Sequence, residues 1–142
     1  MKNDFLRRVF CPENRQAFDC VLVDAPCSAL GLLYRKPDIK YTKTAEEIAQ
    51  LSQTQKSILT ACAEYVKPGG RLVYSTCTMS REENEENIAW FLANFPQYRE
   101  ANLAAMLPER LMSRARGGSI QLFPHLDGID GFFLAVLERE NA

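Results

Sequence analysis

The sequence predicts an open α/β sheet, wound by helices and closed by an antiparallel edge hairpin. Three observations carry that expectation. An apolar run, Cys20–Ala25, stops at an acid and a proline. A capped helix follows, from Thr44 to a Lys67-Pro68-Gly69-Gly70 stop, and a second strand, Arg71–Ser75, begins directly behind the stop. Strand, loop, helix and strand in this order form a βαβ unit. With 142 residues, 46% of them hydrophobic, the chain has the size and composition of one domain, or part of one, with a real core.

Each element has its own signal. Cys20–Ala25 is short and continuously apolar, the pattern of a strand buried on both faces of a parallel sheet. The loop after it is rich in turn formers and bases. Thr44 with Glu47 forms a capping box, and Ile48, Leu51, Ile58, Leu59, Cys62 and Val66 recur at helical spacing. Ser80 with Glu83 repeats the box, and Ile88, Phe91, Leu92 and Phe95 give a second helix its apolar face before Pro96. Glu82, Glu83, Glu85 and Glu86 read as a solvated first turn that complements the helix dipole. Between Tyr98 and Gly118 the signal is weak, with one short helix around Leu103–Leu111. Ser119–Phe123 and Phe132–Glu138 then read as the two strands of the edge hairpin.

Composition excludes several classes. A net charge of −1 provides no global field for holding a polyanion, so any nucleic-acid contact must come from a local patch. No run reaches the roughly 18 apolar residues of a membrane helix, and the charged start is unlike a signal peptide, which together predict a cytoplasmic protein. Five cysteines, with no C-x-x-C pair and a single histidine, argue against a disulfide framework and against a metal site.

Function in an open α/β sheet belongs at the carboxyl ends of the strands. Asp24-Ala25-Pro26-Cys27-Ser28 and Ser75-Thr76-Cys77-Thr78 occupy those places. One cysteine at a strand end is most often a small packing residue. Two at the ends of neighbouring strands, spaced by about 4.8 Å per strand, can face one cleft. Cys11, Cys20 and Cys62 have no such placement and read as packing residues. A thiol hydrolase would need a base such as the distant His125, and a dithiol redox site would want C-x-x-C. Attack on an electron-poor ring fits better. A thiolate that adds to carbon 6 of a cytosine makes carbon 5 nucleophilic, given an acid for the ring edge and a base for the carbon 5 proton. Asp24 and two thiols are a minimal kit for that sequence.

FDCVLVDAPCSALG, RKPDIKY, KPGGRLVYSTCT, REENE and DGFFLAVL, in this order and at these separations, strongly resemble the catalytic half of bacterial RNA cytosine-C5 methyltransferases of the Sun/Fmu (RsmB) family. The resemblance runs from about Asp4 to Arg139. It implies the C-terminal half of a Rossmann-like class I S-adenosylmethionine-dependent methyltransferase fold, with residues 1–142 as a single partial domain. It makes Cys77 the nucleophile and Cys27 the cysteine that helps release product. Asp24 is implied to face both methyl donor and base, Pro26 to shape the cofactor loop, and Asp4 to stand near the donor's adenine. Arg35, Lys36 and Lys40, interleaved with Tyr34 and Tyr41, become an RNA-binding loop suited to phosphates and a splayed base. The implied substrate is a cytosine in small-subunit ribosomal RNA. His125 and the cluster Arg110, Arg114 and Arg116 are read as surface residues.

The family's Gly-rich cofactor loop and the acid that holds the ribose have no counterpart in this sequence. An incomplete cofactor site, low activity of the isolated chain and self-association through an open sheet edge are therefore expected. The alternative from another class is a non-catalytic RNA-binding or oligomerising module that retains the motifs.

Overall fold

A computed structural model of the protein describes residues 11–141. Five strands form one mixed sheet: β1 (Phe18–Asp24), β2 (Val66–Thr76), β3 (Tyr98–Glu100), β4 (Ser119–Leu122) and β5 (Phe132–Arg139). β1 pairs in parallel with β2, β2 pairs antiparallel with β5, and the far side of β5 carries both β3 and β4, also antiparallel. The helices are α1 (Ile39–Thr42), α2 (Ala45–Ala63), α3 (Glu85–Asn94), α4 (Glu109–Met112) and α5 (Pro124–Asp127). None of the described helices is long and apolar enough to cross a membrane.

The capping box of α2 forms as its sequence requires. Thr44 Oγ1 accepts from the Glu47 N–H at 3.2 Å, and Glu47 Oε2 accepts from the Thr44 N–H at 2.9 Å. The helix lays Leu59, Cys62 and Ala63 on the sheet, where they meet Val66, Leu72, Tyr74, Phe133, Ala135 and Leu137. Ile88 and Phe91 of α3 close the same core. On the opposite face of β5, Val136 joins Ala101, Leu103 and Ile120 in a smaller cluster. The run FFLAVL is continuously apolar because alternate residues of β5 feed two different cores.

β5 therefore lies inside the sheet, and only the β4 arm of the hairpin is outermost. β1, read as buried on both faces, is instead an edge strand. Val21 and Val23 face the core, whereas Cys20, Leu22 and Asp24, on the alternate face, are exposed, Leu22 to 65%. Cys20 is thus no packing residue.

β2 begins five residues earlier than the glycines imply. Val66 pairs with Phe18, but Arg71 pairs with Cys20, so Lys67-Pro68-Gly69-Gly70 bulges out of register within the strand. Gly69 takes a φ of +77° there, a conformation that suits glycine. The Ser80–Glu83 box does not form, and α3 starts at Glu85 behind Asn84. Between Tyr98 and Gly118 the chain makes the short strand β3, and Pro108 divides the expected helix into a 3-10 turn, Leu103–Met106, and α4.

Candidate active site

The carboxyl ends of β1 and β2 bring the two cysteine loops together. Pairing continues one step past β1, with the Ala25 N–H donating to the Ser75 carbonyl at 3.0 Å. Ser75 Oγ donates to Asp24 Oδ1 at 3.0 Å, and the Asp24 carboxylate stays exposed beside the pair. From there the loops converge until Cys27 Sγ lies 3.1 Å from Cys77 Sγ. Burial pushes the Cys27 thiol up to about 12, the contact with Cys77 adding to the effect and backbone bonds at Ala29 and Cys77 opposing it. Cys27 thus holds its proton and can donate it to the Cys77 sulfur.

The loops are braced from below. Ser28 and Thr78, each one residue beyond its cysteine, share a hydroxyl contact of 2.8 Å, and both reach the carboxyl group of Glu83. Glu83 is fully buried rather than solvated. Its other oxygen accepts from the Ser28 N–H at 2.8 Å and from Gln55 Nε2 at 3.1 Å. Asn84 ties the second loop down, accepting from Thr76 Oγ1 at 2.6 Å and donating to the Thr78 carbonyl at 2.9 Å. Burial also raises the Tyr74 phenol, which stays protonated and donates to the Glu83 carbonyl at 2.7 Å.

A third loop joins through Gly31. Its N–H donates to the Cys77 carbonyl at 2.9 Å, and its carbonyl accepts from the Gly131 N–H at 2.8 Å. A Cβ on Gly31 would stand 2.2 Å from the Gly131 oxygen and 2.7 Å from the Cys77 oxygen, so only glycine fits this crossing. Ala29 adopts the left-handed conformation at φ 59°, an unusual cost for a residue with a Cβ, two places after Cys27.

The basic loop lies on the surface, with Arg35, Lys36, Lys40 and Tyr41 exposed and Tyr34 91% exposed. Arg35 pairs with Asp130 at 3.1 Å, which fixes the basic loop against the segment before Gly131. Between them runs an open cleft of about 570 Å³, lined by Tyr34, Arg35, His125, Ile129 and Asp130 among others. The His125 ring lies 5.5 Å from that of Phe123 and is exposed. Arg114 is not a loose surface group: it pairs with Asp127 and donates to the Gln121 carbonyl at 2.9 Å. Pro26 is exposed at the mouth of the first loop. Asp4 lies outside the described residues. Among the described residues, no group of three or more His, Cys, Asp or Glu is arranged to hold a metal ion.

Sequence comparison places the chain in a family. A sequence model of "16S rRNA methyltransferase RsmB/F" matches residues 4–138. The chain belongs to the RsmB/F family. It is 47% identical over 130 residues to a probable ribosomal RNA small subunit methyltransferase B of Bacillus subtilis, covering 91% of this chain and 29% of that protein. It is 36% identical to the ribosomal RNA small subunit methyltransferase F of Cronobacter sakazakii, covering 93% and 28%. In three dimensions it is similar to NSun6 from Pyrococcus horikoshii with SFG, an S-adenosylmethionine analogue, at a TM-score of 0.70 and 29% identity over 85% of this chain and 30% of that one. A methyltransferase homologue from the same organism superposes with a TM-score of 0.67 at 29% identity, covering 94% and 42%. The chain thus spans under a third of the length of these two curated relatives, and its sheet is part of a Rossmann-like methyltransferase fold.

In this RsmB/F chain, the residues that sequence reasoning singled out, Cys27, Cys77 and Asp24, lie together at the strand ends, and Glu83, Gly31 and Asp130, which it did not single out, tie the surrounding loops. Glu83 looked like an exposed helix cap. The repeated occurrence of Ser28 and Thr78 immediately after the two cysteines was the available signal for a shared partner.

Proposed function

We propose that this chain carries the nucleophile of an RNA cytosine-C5 methyltransferase of the cytoplasm, acting on a cytosine of small-subunit ribosomal RNA. The observation that supports this most is the 3.1 Å contact of two thiols from separate loops, with an exposed carboxylate beside them. One thiol near a base serves many hydrolases. A pair of thiols without a neighbouring imidazole suits a reaction in which one sulfur adds to a ring and the other assists its departure.

In this reading the Cys77 thiol gives up its proton to a base, and the resulting thiolate bonds to carbon 6 of the cytosine. The carbon 5–carbon 6 π pair shifts into the ring as Asp24 hydrogen-bonds or protonates its edge. Carbon 5 becomes an enamine carbon and accepts a methyl group. A base then takes the carbon 5 proton, that pair of electrons restores the double bond, and the Cys77 sulfur leaves. Cys27, in contact with that sulfur, supplies a proton to it or helps to clear the adduct.

S-adenosylmethionine supplies an electrophilic methyl group when bound. Asp24 and Pro26, exposed at the carboxyl end of β1, fit a role at its edge, and Asp4 is proposed to approach the adenine. Arg35, Lys36 and Lys40 fit phosphates, and Tyr34 offers a ring for a base. The pairing of Arg35 with Asp130 leaves Lys36 and Lys40 as the stronger phosphate donors.

In a protein that joins this chain to the upstream segment of its relatives, Cys77→Ala is expected to abolish methyl transfer. Cys27→Ala is expected to leave a protein–RNA adduct that survives a denaturing gel. Normal turnover by Cys77→Ala would show that the nucleophile lies elsewhere.

A further inference from the structure

Burying a carboxyl group is costly unless every oxygen is hydrogen-bonded, and the position of Glu83 therefore needs a reason. Its partners come from three places in the chain. Ser28 belongs to the first cysteine loop, Thr78 to the second and Gln55 to α2. Gln55 also donates to the Pro26 carbonyl at 2.8 Å, immediately before Cys27. The backbone of Glu83 is itself fixed, because its carbonyl accepts from Tyr74 Oη at 2.7 Å and from Asn87 Nδ2 at 3.1 Å. A rigid anchor thus bonds the residue next to each cysteine, and the short side chains of Ser28 and Thr78 pass that rigidity on to the loops.

We infer that Glu83 is a positioning residue: its buried carboxyl group, bonded to Ser28 and Thr78, holds the sulfurs of Cys27 and Cys77 in contact. The chemical use of that contact rests on Cys77 being the nucleophile, whereas the clamp itself concerns only the two thiols. Reacting groups held within contact distance need no search before each step, and a displacement of about 1 Å can cost about a hundredfold in rate. The clamp is placed where water cannot loosen it, since Ser28, Thr78 and Glu83 are all fully buried.

The chemistry of the clamp separates two substitutions. In Glu83→Gln the carbonyl oxygen still accepts from the Ser28 N–H and from Gln55. The amide nitrogen donates to the two hydroxyls, which can turn and accept. In Glu83→Ala both loops lose the anchor.

Dibromobimane, which fluoresces only when it has alkylated two thiols with loss of both bromides, reports the sulfur contact on this chain without reference to methyl transfer. Peptide mapping assigns the bridge. The wild-type chain is expected to bridge Cys27 to Cys77, Glu83→Gln to do so within about threefold of its rate, and a folded Glu83→Ala to lose about a hundredfold. Bridging at the wild-type rate in folded Glu83→Ala would overturn the inference. Should that variant fail to fold, Ser28→Ala and Thr78→Val, which each take one hydroxyl off the carboxyl group and leave the Ser28 N–H and Gln55 on it, are each expected to slow bridging severalfold and the double variant about tenfold; an unchanged rate in the double variant would overturn it equally. Ile88→Ala, a core truncation that removes no hydrogen bond from these groups, is expected to bridge like the wild type, and a matching loss there would reduce Glu83 to general packing. Methyl transfer by the Cys77→Ala protein tests the nucleophile separately, so the clamp and the nucleophile can fail independently.

Discussion

Cys27 keeps its proton because a half-buried sulfur beside a second sulfur has little to solvate its charge. With its thiol pushed up to about 12, about one molecule in ten thousand carries the thiolate at about pH 8. Iodoacetamide is therefore expected to modify exposed Cys20 well before Cys27, and the Cys27 rate should keep climbing as pH approaches about 12. Removing Cys77 takes away one of the raising causes, so Cys77→Ala should move the Cys27 profile to lower pH. Site-resolved mass spectrometry measures both, and a wild-type profile that levels off by about pH 9 would contradict the burial argument. The sign for stability follows from the same shift. The folded chain binds this proton more tightly than the unfolded chain, so its contribution is complete below the ordinary thiol value of 9.0 and is lost as pH rises towards about 12. At this scale the two cysteines and Asp24 were legible, because each sits in a short local motif at a strand end. Glu83 was not, because its burial depends on Ser28, 55 residues earlier in the chain, and a serine three places ahead of an acid imitates a helix cap.

The two capping boxes written in the sequence make a controlled pair. Thr44 and Glu47 bond reciprocally at the start of α2, so Thr44→Ala is expected to cost about 1 kcal/mol in urea unfolding. Ser80 and Glu83 have the same spacing but form no box, so Ser80→Ala should change stability by less than about 0.5 kcal/mol. A loss at Ser80 equal to that at Thr44 would mean that the second box forms after all. Local signals thus fixed the existence of α2, α3 and the βαβ unit, while they could not order the sheet. The apolar run of β5 suits a fully buried strand anywhere, and its place between β2 and the pair β3 and β4 is set by long-range register. β3, with only Tyr98 of its three residues buried, carries too little alternation to be seen. What secures it is a phenol that donates to the Ala63 carbonyl at 2.8 Å, across the core.

As a whole, the described structure has two unlike sheet margins. On one side, β3 and β4 share the length of β5, and Leu103 and Ile120 pack beneath them. On the other, β1 offers an unshared parallel edge and an uncovered face on which Leu22 is 65% exposed. An apolar edge strand of this kind is a template for pairing. Burying Leu22 in a contact would contribute about 2 kcal/mol, about a thirtyfold change in affinity. The chain alone is therefore expected to self-associate through β1, with a sedimentation coefficient that rises with concentration. Leu22→Lys should restore a monomer, since a cation on that face repels a second copy and keeps the edge in water, and Arg99→Ala on β3 should not. A wild-type chain that sediments as a monomer at every concentration, or association untouched by Leu22→Lys, would show that β1 does not mediate pairing. Added upstream sequence from the relatives should suppress the association if it covers β1, which ties the exposed leucine to the same segment that is expected to complete the methyl-donor site.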